Sequence, residues 1–262
     1  MRLQRWMEVL FGAMAALTPL AGQTARPVNP LSALLEETGK RAEQFWDQFS
    51  SMACVETVVQ SKLGPDKKVI SQKRESYNYL LLLQLSGDRL TVEETRDLQG
   101  KVAKQPAKPL LKTGGFSVLA LICHPYYQSS FLFRELPSQH ADERVLEFQT
   151  IRGARSPSAL ELKGRDYPIE WQGTAVIDLR SGFIRRVHAG LPAPLEDLGL
   201  QELTADVEYA PVTFNNPPSV SWMPQTAVIE ARTRRQHWRN VHQFSEYKRF
   251  SVSSEVSVGQ PN

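Results

Sequence analysis

The sequence predicts an α+β protein, mainly antiparallel β, in which a curved sheet or half-barrel wraps around a few helices. Three observations lead there. The stretch Trp171–Val187 reads as a β-hairpin, its arms Thr174–Leu179 and Phe183–Val187 flanking the short Gly-containing loop Arg180-Ser181-Gly182. Apolar and polar residues alternate through much of the remaining chain, before and after that hairpin. Helical periodicity is confined to Leu31–Met52 and to the apolar cluster Phe116–Leu136. Long strands in meander order with one helical interruption fit a strongly curved sheet closed over a helix.

The N-terminus is laid out as a secretory signal peptide. Arg2 and Arg5 precede an apolar run from Val9 to Leu17, which Pro19 breaks before the small residues Ala21 and Gly22. Cleavage is expected after Gln23 or after Ala25. Leu20-Ala21-Gly22 begins like a lipoprotein box, but Gln23 stands where such a box needs Cys, so no acylation is expected. The predicted organisation is a signal peptide over 1–23, a lead-in over 24–30, one β domain over 31–258 and a tail over 259–262. The expected compartment is the periplasm or the exterior, with no membrane span after cleavage. The formal charge of +3 argues for neither nucleic acid nor an acidic surface, and 41% hydrophobic with 23% charged residues is an ordinary globular composition.

Taken in order, Leu31, Leu34, Leu35, Thr38, Ala42, Phe45, Trp46 and Phe49 recur at helical spacing, with Gly39 weakening the middle by roughly 1 kcal/mol relative to Ala. From Ala53 to Arg96 the period becomes two, with turns at Gly64-Pro65-Asp66 and Ser86-Gly87-Asp88, which predicts a meander. Tyr77–Leu83 is apolar enough to be covered on both faces. Asp97–Gly115 reads as a Lys-rich loop. Phe116–Leu136 is predicted to be two short helical pieces split at Pro125, or one helix broken there, buried or covering an apolar cavity. Arg144–Arg152 is a strand and Gly153–Pro168 a polar insert of low pattern. After the hairpin, Leu203–Phe214, Ser221–Arg235 and Trp238–Val258 are further strands.

The chemistry-bearing residues form no catalytic pattern. His124, His140, His188, His237 and His242 lack metal-ligand spacing, and His237 and His242, five apart on a strand, face opposite ways. Gly115-Phe116-Ser117-Val118-Leu119 lacks the second glycine of a serine elbow. Glu93-Glu94 and Asp142-Glu143 are adjacent on strands and point apart. No catalytic residue, metal or cofactor is therefore assigned. Cys54 and Cys123 either form a disulfide, worth roughly 4 kcal/mol in the chain-entropy model, or remain buried thiols. The acidic stretch Glu196–Glu208 and the basic stretch Arg232–Arg249 are expected to pair as neighbouring strands, or to offer an anionic headgroup a place at the rim. Export weighs against a nucleic-acid platform.

The order of pieces carries a resemblance. It rests on Phe49…Cys54-x-Glu56 after the aromatic helix, the Gly173–Asp178 hairpin with its Ser181-Gly182 turn, and Val207-x-Tyr209. Trp222-x-Pro224 and Asn240-x-x-x-Phe244-Ser245-x-Tyr247-x-x-Phe250 complete it. The chain resembles a group of uncharacterised exported acidobacterial proteins and is more distantly similar to the LolA/LolB-like lipoprotein-carrier superfamily. That resemblance implies an incomplete barrel around helices that plug its apolar side, and binding of acyl chains or a protein partner in the hollow. In that setting Leu119, Ile122, Tyr127, Phe131 and Phe133 are the expected ligand-lining residues. Two functions follow as expectations. One is an exported carrier of a lipid or other apolar ligand, and the other is an interaction domain whose hollow is filled by its own helix and which meets a periplasmic or outer-membrane protein.

Overall fold

The computed structural model describes residues 30–50, 52–86, 89–100, 112–162, 165–215 and 217–250. The expected signal peptide, most of the lead-in, the centre of the Lys-rich loop and the tail lie outside the described residues.

The chain opens with α1 (Pro30–Phe49), and Thr38, Gly39, Ala42, Phe45 and Phe49 are its buried side, at the three- and four-residue spacing of one helical face. Then come β1 (Met52–Leu63), β2 (Val69–Ser86), β3 (Arg89–Leu98) and the short β4 (Lys112–Gly114). A 3-10 turn (Leu119–Cys123) and α2 (Pro125–Gln128) lead to β5 (Phe131–Leu136), β6 (Glu143–Thr150), β7 (Ala159–Leu162) and β8 (Arg165–Pro168). The chain continues through β9 (Gln172–Asp178), β10 (Ile184–Gly190), a 3-10 turn (Glu196–Leu198), β11 (Leu200–Asn215), β12 (Pro218–Thr233) and β13 (His237–Arg249).

Among the described residues, ten strands form one antiparallel sheet in the order β3-β2-β1-β13-β12-β11-β10-β9-β6-β5, and β4-β7-β8 form a small second sheet. The large sheet is open and curved, with β3 and β5 as its edges, and α1, the 3-10 turn and α2 lie in its concave side. The fold is therefore the α+β, mainly antiparallel architecture expected. The hairpin is β9–β10, and its turn is closed by Asp178, whose carboxylate accepts hydrogen bonds from the Ser181 amide and hydroxyl, both at 2.7 Å. Gly182 takes a left-handed φ of 74° there, which a side chain would resist. At Gly173 a Cβ would lie 1.9 Å from the His188 carbonyl oxygen, so β10 passes where any other residue would carry a side chain.

Three expectations are corrected. Phe116–Leu136 is helical only as far as Gln128; Phe131–Leu136 is an edge strand, because buried Phe131 and half-buried Phe133 alternate with exposed Leu132 and Arg134. The insert Gly153–Pro168 contains β7 and β8, four residues each and too short to show a period. Tyr77–Leu82 is not covered on both faces, since Tyr79 and Leu81 are buried whereas Tyr77, Leu80 and Leu82 are half-buried.

The expected meeting of acidic and basic strands occurs at Glu202 and Arg232, which face each other across β11 and β12, with Arg232 Nε 2.9 Å from the carboxylate. Asp206 instead pairs with Arg186 of β10, through contacts of 2.8 and 2.7 Å. On β13 the left-handed Glu246 (φ 51°) marks a register shift against β1. Phe244 and Tyr247, three residues apart, consequently both turn to the concave side, as a bulge permits and a regular strand does not.

Candidate functional site

The hollow is the candidate site, and it is built from alternation. Inward residues of the central strands, among them Ala205, Val207, Tyr209, Ala227 and Ile229, are buried and apolar. The segment from Phe116 to Cys123 lies against them and is apolar apart from Ser117, with every residue from Val118 to Cys123 at most 5% exposed. Of the expected lining residues, Leu119 and Ile122 are fully buried, Tyr127 and Phe131 are buried, and Phe133 is half-buried at the β5 edge. The structure thus brings Leu119, Ile122, Tyr127 and Phe131 into one apolar core. Between α1 and the sheet, a cavity of about 10 Å³ lies among Arg41, Phe45, Phe183, Tyr209 and Trp222. A pocket that encloses a small molecule is typically about 300–1,000 Å³, so at rest the helices fill this space themselves.

The two fillers are held differently. The segment around the 3-10 turn is pinned by polar bonds: Tyr79 Oη to Ser117 Oγ at 2.9 Å, the Ala120 amide donating to Tyr209 Oη at 3.0 Å, and the Gly115 amide donating to Glu94 at 3.0 Å. Helix α1 meets the sheet chiefly through apolar and aromatic contacts, and α2 through a side-chain hydrogen bond. Phe45 stands edge-on to Tyr209 at 5.7 Å, Trp46 lies 5.8 Å from the His124 ring, and Gln128 Nε2 donates to the Leu35 carbonyl at 2.9 Å. His124 joins the two fillers: its Nδ1 accepts from the Tyr126 amide at 3.1 Å and caps α2. Burial lowers the His124 pKa, against the opposing pull of Glu43 and Asp47.

A charged cluster borders the hollow where the pinned segment enters. Glu56, fully buried on β1, receives Arg96 Nε at 2.5 Å and Nη2 at 3.1 Å from β3, and lies 2.8 Å from His242 Nδ1 on β13. Arg96 also donates to Glu94 at 2.7 Å and sits over the Tyr79 ring at 4.9 Å. Burial alone would raise the Glu56 pKa, but its bonds to His242 and Arg96 outweigh that and hold it below the ordinary carboxylate value. Sequence reasoning missed this cluster. The available signal was the alternation Met52, Cys54, Glu56, which puts the carboxylate on the buried face.

Cys54 and Cys123 are both free and buried, so the disulfide weighed against free thiols is not formed. Burial pushes each thiol up to about 12, helped at Cys54 by the Glu56 charge, so neither is a thiolate at neutral pH. Among the described residues no three His, Cys, Asp or Glu side chains are placed to hold a metal ion. His237 and His242 answer to different carboxylates, Glu230 and Glu56. No helix among the described residues is long and apolar enough to cross a membrane.

No family model matches the chain, and no curated protein matches it in sequence. Solved structures do resemble it. A DUF1329 family protein from Desulfovibrio piger aligns over 87% of this chain and 96% of its own, with 12% identity and a TM-score of 0.46. A domain named for outer membrane lipoprotein sorting, from Vibrio parahaemolyticus, aligns over 84% and 94%, with 10% identity and a TM-score of 0.41. Neither likeness carries function to this chain, and the architecture stands on the strand pairing described above.

Proposed function

We propose that the protein is an exported, non-catalytic binding protein that takes an acyl chain or other apolar ligand into its hollow when α1 moves aside. One observation carries this reading: the inner filler is tied to the sheet by hydrogen bonds, whereas α1 presents an apolar stripe to the hollow. Withdrawal of Phe45 and Phe49 would uncover Ala120, Tyr209 and Ile184, a surface that accepts hydrocarbon without needing a polar partner. The Glu56 cluster would keep the adjoining strands together while α1 is away.

The test is native mass spectrometry of the mature chain isolated from a bacterial periplasm, before and after solvent extraction, with uptake of a fluorescent fatty acid measured in parallel. Adducts of lipid mass that extraction removes, and probe uptake that rises in Phe49→Ala, support the carrier. A clean protein mass together with no uptake by either form overturns it. A second reading, an interaction domain with a self-filled hollow, is favoured by the 10 Å³ left between α1 and the sheet. Crosslinking in the periplasm to one defined protein would select it. Turnover of any substrate that disappears on Glu56→Gln or His242→Gln would refute the non-catalytic assignment.

A further inference from the structure

Two hairpin turns meet at one end of the sheet. Leu63 on β1 faces His237 on β13, which sets the β1–β2 turn beside the β12–β13 turn. Each turn is closed by its own bonds. The Gly64 amide donates to the Lys68 carbonyl at 2.8 Å, and Lys67 holds a left-handed φ of 60°. Thr233 donates its amide to the Gln236 carbonyl at 2.8 Å, and its hydroxyl accepts from the Gln236 amide at 3.0 Å. Lys67, Arg234 and Arg235 are therefore exposed on ordered backbone.

Between the turns lies a groove of about 560 Å³ that these three side chains line with Arg232, Glu202 and Glu230. Both carboxylates are already engaged: Glu202 with Arg232, and Glu230 with Arg239 at 3.5 Å and His237 at 3.3 Å. Arg234 and Arg235 have no ion pair among the described residues, and Lys67 makes none at contact distance although its charge helps to lower the Glu202 pKa. Two guanidinium forks and an ammonium around one groove suit a tetrahedral anion with several acceptor oxygens. Along β12, Thr233 at the turn lies eleven residues beyond Trp222, a contour of about 36 Å at strand rise, and the groove shares no lining residue with the cavity under α1.

We propose that the paired hairpin tips form a binding site for a phosphate-bearing group, independent of the hollow. The group is either a free phosphate or the phosphate of a lipid headgroup, and the test separates them. The full mature chain is titrated with inorganic phosphate and pyrophosphate by calorimetry, and sedimented with phosphatidylcholine vesicles with and without phosphatidylglycerol. The double variant Arg234→Ser/Arg235→Ser is compared with Arg180→Ser, which removes one positive charge from the β9–β10 turn. Circular dichroism checks that each variant is folded.

Saturable binding of the soluble anions identifies a free-phosphate site, and binding to phosphatidylglycerol vesicles alone identifies a headgroup site. In either case the double variant should lose about tenfold or more, as the loss of charged hydrogen bonds implies, and Arg180→Ser should not. Absence of binding to all probes overturns the site, as does equal loss in both variants. Acyl uptake by the double variant should be unchanged, so failure of this site and failure of the hollow are distinguishable.

Discussion

The Glu56 carboxylate, fully buried on β1, is gripped by both Nε and Nη2 of Arg96, which reaches across from β3 over the intervening strand. Removing one partner of a buried pair strands the other. Glu56→Gln is expected to lower stability at neutral pH by about 3 kcal/mol in urea denaturation, which measures it directly. A loss within experimental error would show that Glu94 alone satisfies Arg96.

The same carboxylate sets an acid limit. Its pKa in the fold lies below the ordinary 4.5, so it contributes stability that is complete above that value and is lost as pH falls through the depressed one. The gap between wild type and Glu56→Gln should therefore be constant from neutrality to about pH 5 and close on further acidification. Melting temperatures across that range test the sign.

His124 should act at higher pH. Its lowered pKa means that the stability it contributes is present above about 6.5 and declines as pH falls below it, because the unfolded imidazole takes the proton first. Protonation also ends the acceptor role of Nδ1 toward the Tyr126 amide. Hydrogen-exchange protection factors in α1 and α2, taken relative to the intrinsic rate at each pH, should fall from pH 7 to 5. In His124→Asn, which keeps an acceptor without the titration, that dependence should vanish.

Gly39 gives a test in the stabilising direction. A Cβ there would meet the Cys123 carbonyl oxygen at 3.4 Å and Pro125 at 3.7 Å, ordinary contacts in a helix interior. Gly39→Ala should raise stability by about 1 kcal/mol and, by holding α1 in place, slow the uptake of an acyl probe. Faster uptake by a more stable variant would contradict a displaced α1.

The two thiols should be silent in the native protein. Reductant should leave the melting temperature unchanged. Iodoacetamide at neutral pH should modify neither Cys54 nor Cys123 until denaturant is added, when mass spectrometry should find both alkylated without prior reduction.

Much of the fold was legible because alternation and turn chemistry are local. The β9–β10 hairpin, the central strands and the buried face of α1 all follow from spacing. The Glu202–Arg232 contact was legible as a tendency of charged neighbours, whereas the Asp206–Arg186 contact depended on which strand lay on the other side. Glu56 shows the limit most clearly: alternation assigns its face, but Arg96 and His242 arrive from strands far along the chain. Phe131–Leu136 was misread because two aromatic residues two apart fit an apolar cluster as well as a strand. The pairing of Phe244 with Tyr247 on one side depends on the left-handed Glu246, which no period discloses.

Gly173 places an unusual demand on the hairpin. The obstacle to a larger residue is the main chain of β10 and not a side chain that could swing away. Complementary changes in neighbouring side chains therefore cannot make room for even a methyl group, and only a shift of the whole strand would. At that point the shape of the sheet depends on a single hydrogen atom, and tolerance to substitution there should be lower than at any of the large aromatic residues it helps to enclose.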